Sequence, residues 1–183
     1  MEFKLNIPTS LNEITLRQYQ EFDKLDVEKE ADVQLRMIEI FCKVPTYVAR
    51  GMKATDVASV CKSINTMFDT KHQLLNIFNL NGQKYGFIPS LEDMTFGEYV
   101  DLDTFIGDNE NLHRALNVLY RPIVNQVGKR YIIKEYNPDD AEVAKEFPLD
   151  AVFGSIVFFY NLGTELSKVI LNSSNKTNEE SLV

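Results

Sequence analysis

The sequence predicts a mainly helical α+β domain of about seven helices with a small sheet. Three observations carry this expectation. Apolar residues recur at helical spacing along most of the 183-residue chain. Residues 77–88 place extended apolar runs on either side of Asn81-Gly82, the pattern of a β-hairpin. A third pattern, an extended run followed by proline and a threonine-capped helix, occurs twice, over 3–25 and 84–105.

The repeat has a direct physical reading. In the first copy Phe3–Ile7 leads through Pro8 to Ile14-Thr15-Leu16-Arg17-Gln18-Tyr19; in the second Lys84–Ile88 leads through Pro89 to Met94-Thr95-Phe96-Gly97-Glu98-Tyr99. Proline ends each strand, because it has no N–H for a ladder and holds its predecessor extended. Thr15 and Thr95 are predicted N-caps, and Gln18 and Glu98 stand where they close two capping boxes. Ile14 with Tyr19, and Met94 with Tyr99, occupy the two positions of a hydrophobic staple. Ancient duplication and a recurrent capping motif both account for the pattern.

In chain order, residues 3–7 read as a strand and 15–25 as the first capped helix, with Leu16, Tyr19 and Phe22 on one stripe. Residues 31–44 read as a helix with Val33, Met37, Ile40 and Phe41 inward, ended by Pro45. Residues 47–51 make a short helical turn closed by glycine, and Thr55 is read as the cap of a helix over 56–68. Asn81-Gly82 predicts a type I′ turn, which needs two positive φ angles. Residues 3–7 are candidates for a third strand beside that hairpin, and 131–133 for a further one. The second capped helix spans 95–105 and another spans 109–120, stopped by Arg121-Pro122. Residues 123–137 read as connector with a turn at Gly128. Asn137-Pro138 then opens a helix to about Glu146. Pro148 opens the last and most apolar helix, to about Leu171; Gly154, Gly163 and Ser167 would let another helix approach it. Asn161, Thr164 and Glu165 interrupt it too early for a membrane span, which needs about 20 apolar residues. A core helix is therefore expected. One domain is expected over 1–172, with a polar, disordered tail over 173–183.

Charge narrows the partners. A net charge of −8 and a pI near 4.8 disfavour phosphate backbones and anionic membranes, so the expected partners are proteins, with no direct nucleic acid and no membrane. Cys42 and Cys61 fall among apolar helical residues and read as core thiols. That thiol reading fits a reducing compartment, and the opening Met-Glu-Phe-Lys-Leu-Asn lacks signal-peptide shape.

No catalytic, cofactor-binding or metal residues are predicted. His72 and His113 lie in unrelated segments, His113 at a helix surface or boundary. Phosphate-cradling glycine loops and a nucleophile elbow are absent. Glu92, Asp93, Glu98, Asp101, Asp103, Asp108 and Glu110 form an acidic run without Lys or Arg. Its spacing does not fit a calcium loop, so it reads as a solvated acidic face or docking surface.

Several segments together resemble a family of virion-associated proteins of tailed bacteriophages, the crAss-like phages in particular. They are Ile14–Tyr19, Gly86-Phe87-Ile88-Pro89, Asp93–Asp103, Leu119-Tyr120-Arg121-Pro122 and Leu149-Asp150-Ala151-Val152. The resemblance covers nearly the whole chain up to the tail and brings no catalytic residues with it. It implies a non-enzymatic structural or cargo protein of the virion, assembled in the bacterial host cytoplasm and held by contacts near portal or tail. A tail or capsid assembly chaperone that is not retained in the virion is the alternative. Homo-oligomeric or ring-bound association is expected, with Phe96, Tyr99 and the helix face around Gly163 as candidate contacts; filling a monomer core is the competing role, favoured for the staple residue Tyr99.

Overall fold

The computed structural model describes residues 5–26, 28–162 and 164. Its α-helices are α1 (Leu16–Asp23), α2 (Glu30–Phe41), α3 (Thr46–Arg50), α4 (Ala54–Phe68), α5 (Phe96–Phe105) and α6 (Leu112–Leu119). A seventh, α7, spans 149–162. Two 3-10 segments, Leu11–Glu13 and Pro138–Glu146, complete the helical part. The strands are β1 (Ile77–Leu80), β2 (Gln83–Phe87), β3 (Tyr120–Val127) and β4 (Arg130–Ile133). They form one antiparallel sheet in chain order, with α5 and α6 inserted between β2 and β3. The predicted mainly helical α+β architecture holds.

Both hairpin turns obey backbone chemistry. Asn81 and Gly82 have φ of 51° and 84°, the two positive values a type I′ turn requires. At the β3–β4 turn only Gly128 is positive, at 61°, as in a turn whose first central residue alone must be glycine. Gly86 answers a different demand. A Cβ there would lie 2.5 Å from Cε2 of Tyr131, whose ring covers the β2 backbone and whose hydroxyl donates to the carbonyl of Phe87 at 2.7 Å.

The sheet differs from the sequence expectation. Residues 5–7 form no strand, residues 3 and 4 lie outside the described residues, and the hairpin is extended instead by β3; the further strand expected at 131–133 forms, as β4. Arg121-Pro122 does stop α6, but the chain continues as strand. Pro122 stands opposite Tyr85, and its carbonyl accepts from the N–H of Lys134 at 2.8 Å. The segment 123–137 is thus sheet over much of its length. Smaller shifts have local causes. Lys53, not Thr55, is the extended residue before α4, so Thr55 stands inside the first turn. α2 ends at Phe41, before Lys43 turns left-handed at φ 54°. Asn137 caps as expected, accepting from the N–H of Asp139 at 3.1 Å, but the segment it opens is 3-10.

One contiguous apolar core runs from Leu11 to Val152. It holds two aromatic clusters, and α7 reaches both. Phe153 meets Tyr19 edge-on at 5.2 Å and Phe68 at 6.1 Å on the side of α1 and α4. On the sheet side, Phe158 and Phe159 meet Phe87, which meets Tyr120. Leu149, Ala151, Val152 and Ser155 are fully buried, so the first turns of α7 belong to the core, whereas residues 156–159 are half-buried and Tyr160 is 75% exposed. Gly154 is in close contact, yet not with another helix. A Cβ there would strike the carbonyl oxygen of Gln73, with that carbonyl's carbon at 2.9 Å. Gly163, Ser167 and the tail expected over 173–183 lie outside the described residues. Among the described residues no helix is long and apolar enough to cross a membrane.

Candidate functional site

The two repeated caps both form, and each does more than close a helix. At α1, the N–H of Gln18 donates to Thr15 Oγ1 at 3.3 Å, and Gln18 Oε1 accepts from the N–H of Thr15 at 3.1 Å. The same amide's Nε2 donates to the carbonyl of Ile40 at 2.6 Å, tying α1 to α2. At α5, the N–H of Glu98 donates to Thr95 Oγ1 at 3.3 Å, and Glu98 Oε2 accepts from the N–H of Thr95 at 2.7 Å. Glu98 Oε1 then meets Arg121 Nη1 at 2.8 Å. In both copies the residue that closes the box is buried and spends its second polar atom on another element. The cap and the tertiary anchor are one side chain.

This anchor sets the orientation of α5, and with it the surface that α5 presents. Glu98 and Leu102 face inward. Phe96 is 81% exposed, Tyr99 55% and Val100 42%. The Phe96 and Tyr99 rings are stacked 6.5 Å apart, so the exposed aromatic area is continuous. The staple reading of Tyr99 as a core residue is therefore corrected: its ring leans on Phe96 in solvent. Burying one aromatic ring is worth about 1.5–3 kcal/mol, which makes an exposed stacked pair a candidate contact surface.

The acidic run divides into two sets. Glu98 is not part of a solvated face; it is the buried partner of Arg121. Asp101 Oδ2 accepts from the hydroxyl of Tyr136 at 2.6 Å; burial and then this carboxylate push the phenol upward. Asp108 accepts from the N–H of Glu110 at 3.0 Å and from Asn111 Nδ2 at 2.7 Å, and the Asn111 bond holds its carboxyl low. Glu110 pairs with Lys24 at 3.1 Å. Glu92, Asp93 and Asp103 remain exposed and without an ion pair among the described residues, flanking Phe96 and Tyr99 in the chain.

His113 is buried, where a surface or boundary position is expected from the sequence. α6 is enclosed by α5 and the Pro138–Glu146 segment, and His113 Nε2 lies 3.6 Å from Glu142 Oε1. Desolvation pushes the imidazole below its ordinary value, Lys145 adds to this, and Glu142 opposes it. His72 meets Phe153 at 5.1 Å with the rings tilted by 52°, far along the chain from His113. Cys42 and Cys61 are free and buried; burial raises both thiols, Cys42 to about 11. Among the described residues no group of three or more His, Cys, Asp and Glu is placed to hold a metal ion. A cavity of about 360 Å³ lies between the first 3-10 segment and the end of α4, with Ser10, His72 and Asp150 in its lining. Burial raises the Asp150 carboxyl, whose Oδ1 accepts from the N–H of Ala151 at 2.8 Å, so it sits as a first-turn acid of α7.

Fold and site together define a mainly helical α+β domain whose most distinctive surface is an aromatic pair set among free carboxylates. Compared with family models, curated proteins and solved structures, the chain matches none of them.

Proposed function

We propose that this protein is a non-enzymatic component of a tailed-bacteriophage particle, structural or carried as cargo, held by protein–protein contacts near the portal or tail. The observation that carries the reading is the stacked, exposed Phe96–Tyr99 pair, held outward by the buried Glu98–Arg121 anchor. Rigid aromatic rings presented at low conformational cost are the side chains that dominate protein interfaces. The acidic balance of −8 supports the same reading, since a particle interior rich in DNA repels such a chain and leaves protein as its contact. The segments that resemble virion-associated proteins include Asp93–Asp103, which contains this pair.

Mass spectrometry of purified virions tests the proposal. It should detect the protein at many copies per particle. Absence from virions, with presence in infected-cell lysate, would replace this reading with that of an assembly chaperone.

A further inference from the structure

A second surface on the same chain complements the first. The β3–β4 hairpin carries Lys129 and Arg130 at its turn, both exposed and without an ion pair among the described residues. Beside them lies a groove of about 790 Å³ whose lining includes Ile77, Pro89 and the ring of Tyr131. The Tyr131 hydroxyl donates to the carbonyl of Phe87 at 2.7 Å, with that of Asn76 3.2 Å away, which holds the ring in place and fixes the groove wall. The groove lining mixes these three side chains with Asn76, Gln126, Gly128, Lys129 and Arg130, so apolar surface and two cations share one groove. The α5 surface is its counterpart, an aromatic knob with Glu92 and Asp93 just before it in the chain. Phe96 and Tyr99 do not line the groove of their own chain.

We infer that the occupant of this groove is a second copy of the chain, with Phe96 of one protomer entering the groove of the next. Glu92 and Asp93 would then face Lys129 and Arg130. The argument for self-association is charge. In a chain of net −8, Lys129 and Arg130 stand unpaired among the described residues in the lining of this groove, and the same chain supplies an aromatic knob preceded by two unpaired carboxylates that match them. Carboxylates meeting these cations at a partly desolvated rim fix the register of the contact, and the aromatic ring supplies the apolar burial. The knob and the groove are different patches, so the contact is heterologous and generates a ring or an open array, unless a two-fold axis pairs both at once. The inference rests on reading the Phe96–Tyr99 surface as a contact face, and it does not depend on the virion assignment.

Sedimentation velocity over a concentration series tests it. The native chain should shift from monomer to larger species as concentration rises. Phe96→Ser should weaken the association at least about tenfold, with an unchanged circular dichroism spectrum because Phe96 is exposed. The double variants Glu92→Lys/Asp93→Lys and Lys129→Glu/Arg130→Glu should each stay monomeric alone and associate when mixed. A native chain that remains monomeric throughout, or charge variants that fail to associate on mixing, would overturn the self-contact. Either result leaves the virion measurement to decide the particle role separately.

Discussion

Glu98 shows how much can depend on one carboxylate. One oxygen closes the α5 cap and the other compensates a guanidinium that is itself buried. Removing the cap alone, by Thr95→Ala, should cost on the order of 1 kcal/mol. Glu98→Ala loses the cap and also strands a buried charge, so about 3–5 kcal/mol is expected. Urea denaturation of the two variants checks the gap between them. Gly154 is the second residue of this kind. Its missing side chain is where the Gln73 carbonyl sits, and a backbone group cannot swing aside as a flexible side chain can. Gly154→Ala should therefore lie at or above the upper end of the roughly 1–3 kcal/mol usual for overpacking, seen as a lowered denaturation midpoint. The caps were legible from sequence because a capping box is written within four residues. The anchoring role of Glu98 was not, because Arg121 is distant in the chain and its neighbour Pro122 reads as a helix stop. The exposure of Tyr99 was hidden for a similar reason: staple spacing says which residue is near, not whether another element covers it.

At the scale of elements, α6 is enclosed by α5 and the Pro138–Glu146 segment, and its buried histidine makes that packing sensitive to acid. The folded imidazole titrates below its ordinary 6.5, so the folded state binds fewer protons than the unfolded chain. The stabilisation is present above about pH 6.5 and is lost as pH falls below it, toward the lower folded value. Stability should decline from pH 7 to pH 5, and His113→Gln should flatten that slope; chemical denaturation at the two ends measures it. The elements themselves were unevenly legible. α1, α2, α4, α5 and the first hairpin announce themselves by stripes, caps and Asn-Gly. β3 does not, since Tyr120-Arg121-Pro122 contains a residue that cannot donate to a ladder, and its strand state comes from pairing with β2 across two intervening helices.

For the whole molecule, the feature that joins the parts is the small bridge between the start of α1 and the start of α7. The N–H of Leu16 donates to the carbonyl of Phe147, and the N–H of Leu149 donates to the carbonyl of Ile14, each at 2.9 Å. Ile14, Leu16, Phe147 and Leu149 are all buried at this crossing. Their amide hydrogens should exchange only with global unfolding, whereas those of the exposed β3–β4 turn should exchange by local opening; hydrogen exchange at single-residue resolution reads both. Sequence patterning placed α7 in the core because its apolar residues face most ways, but the β-bridge has no local signal.

That bridge also bears on how the molecule is made. Ile14 emerges from the ribosome well before Leu149, and at about 5–20 residues per second the interval is on the order of ten seconds. Throughout it Phe22 and Tyr19 can meet Phe41 and Phe68, but the carbonyl of Ile14, the N–H of Leu16 and the Tyr19 edge that meets Phe153 lack their final partners. A nascent chain stalled before residue 147 should remain protease-sensitive in its α1 segment, and one extended beyond α7 should become resistant. The backbone bonds that close the α1 end therefore form only after the start of α7 has been made.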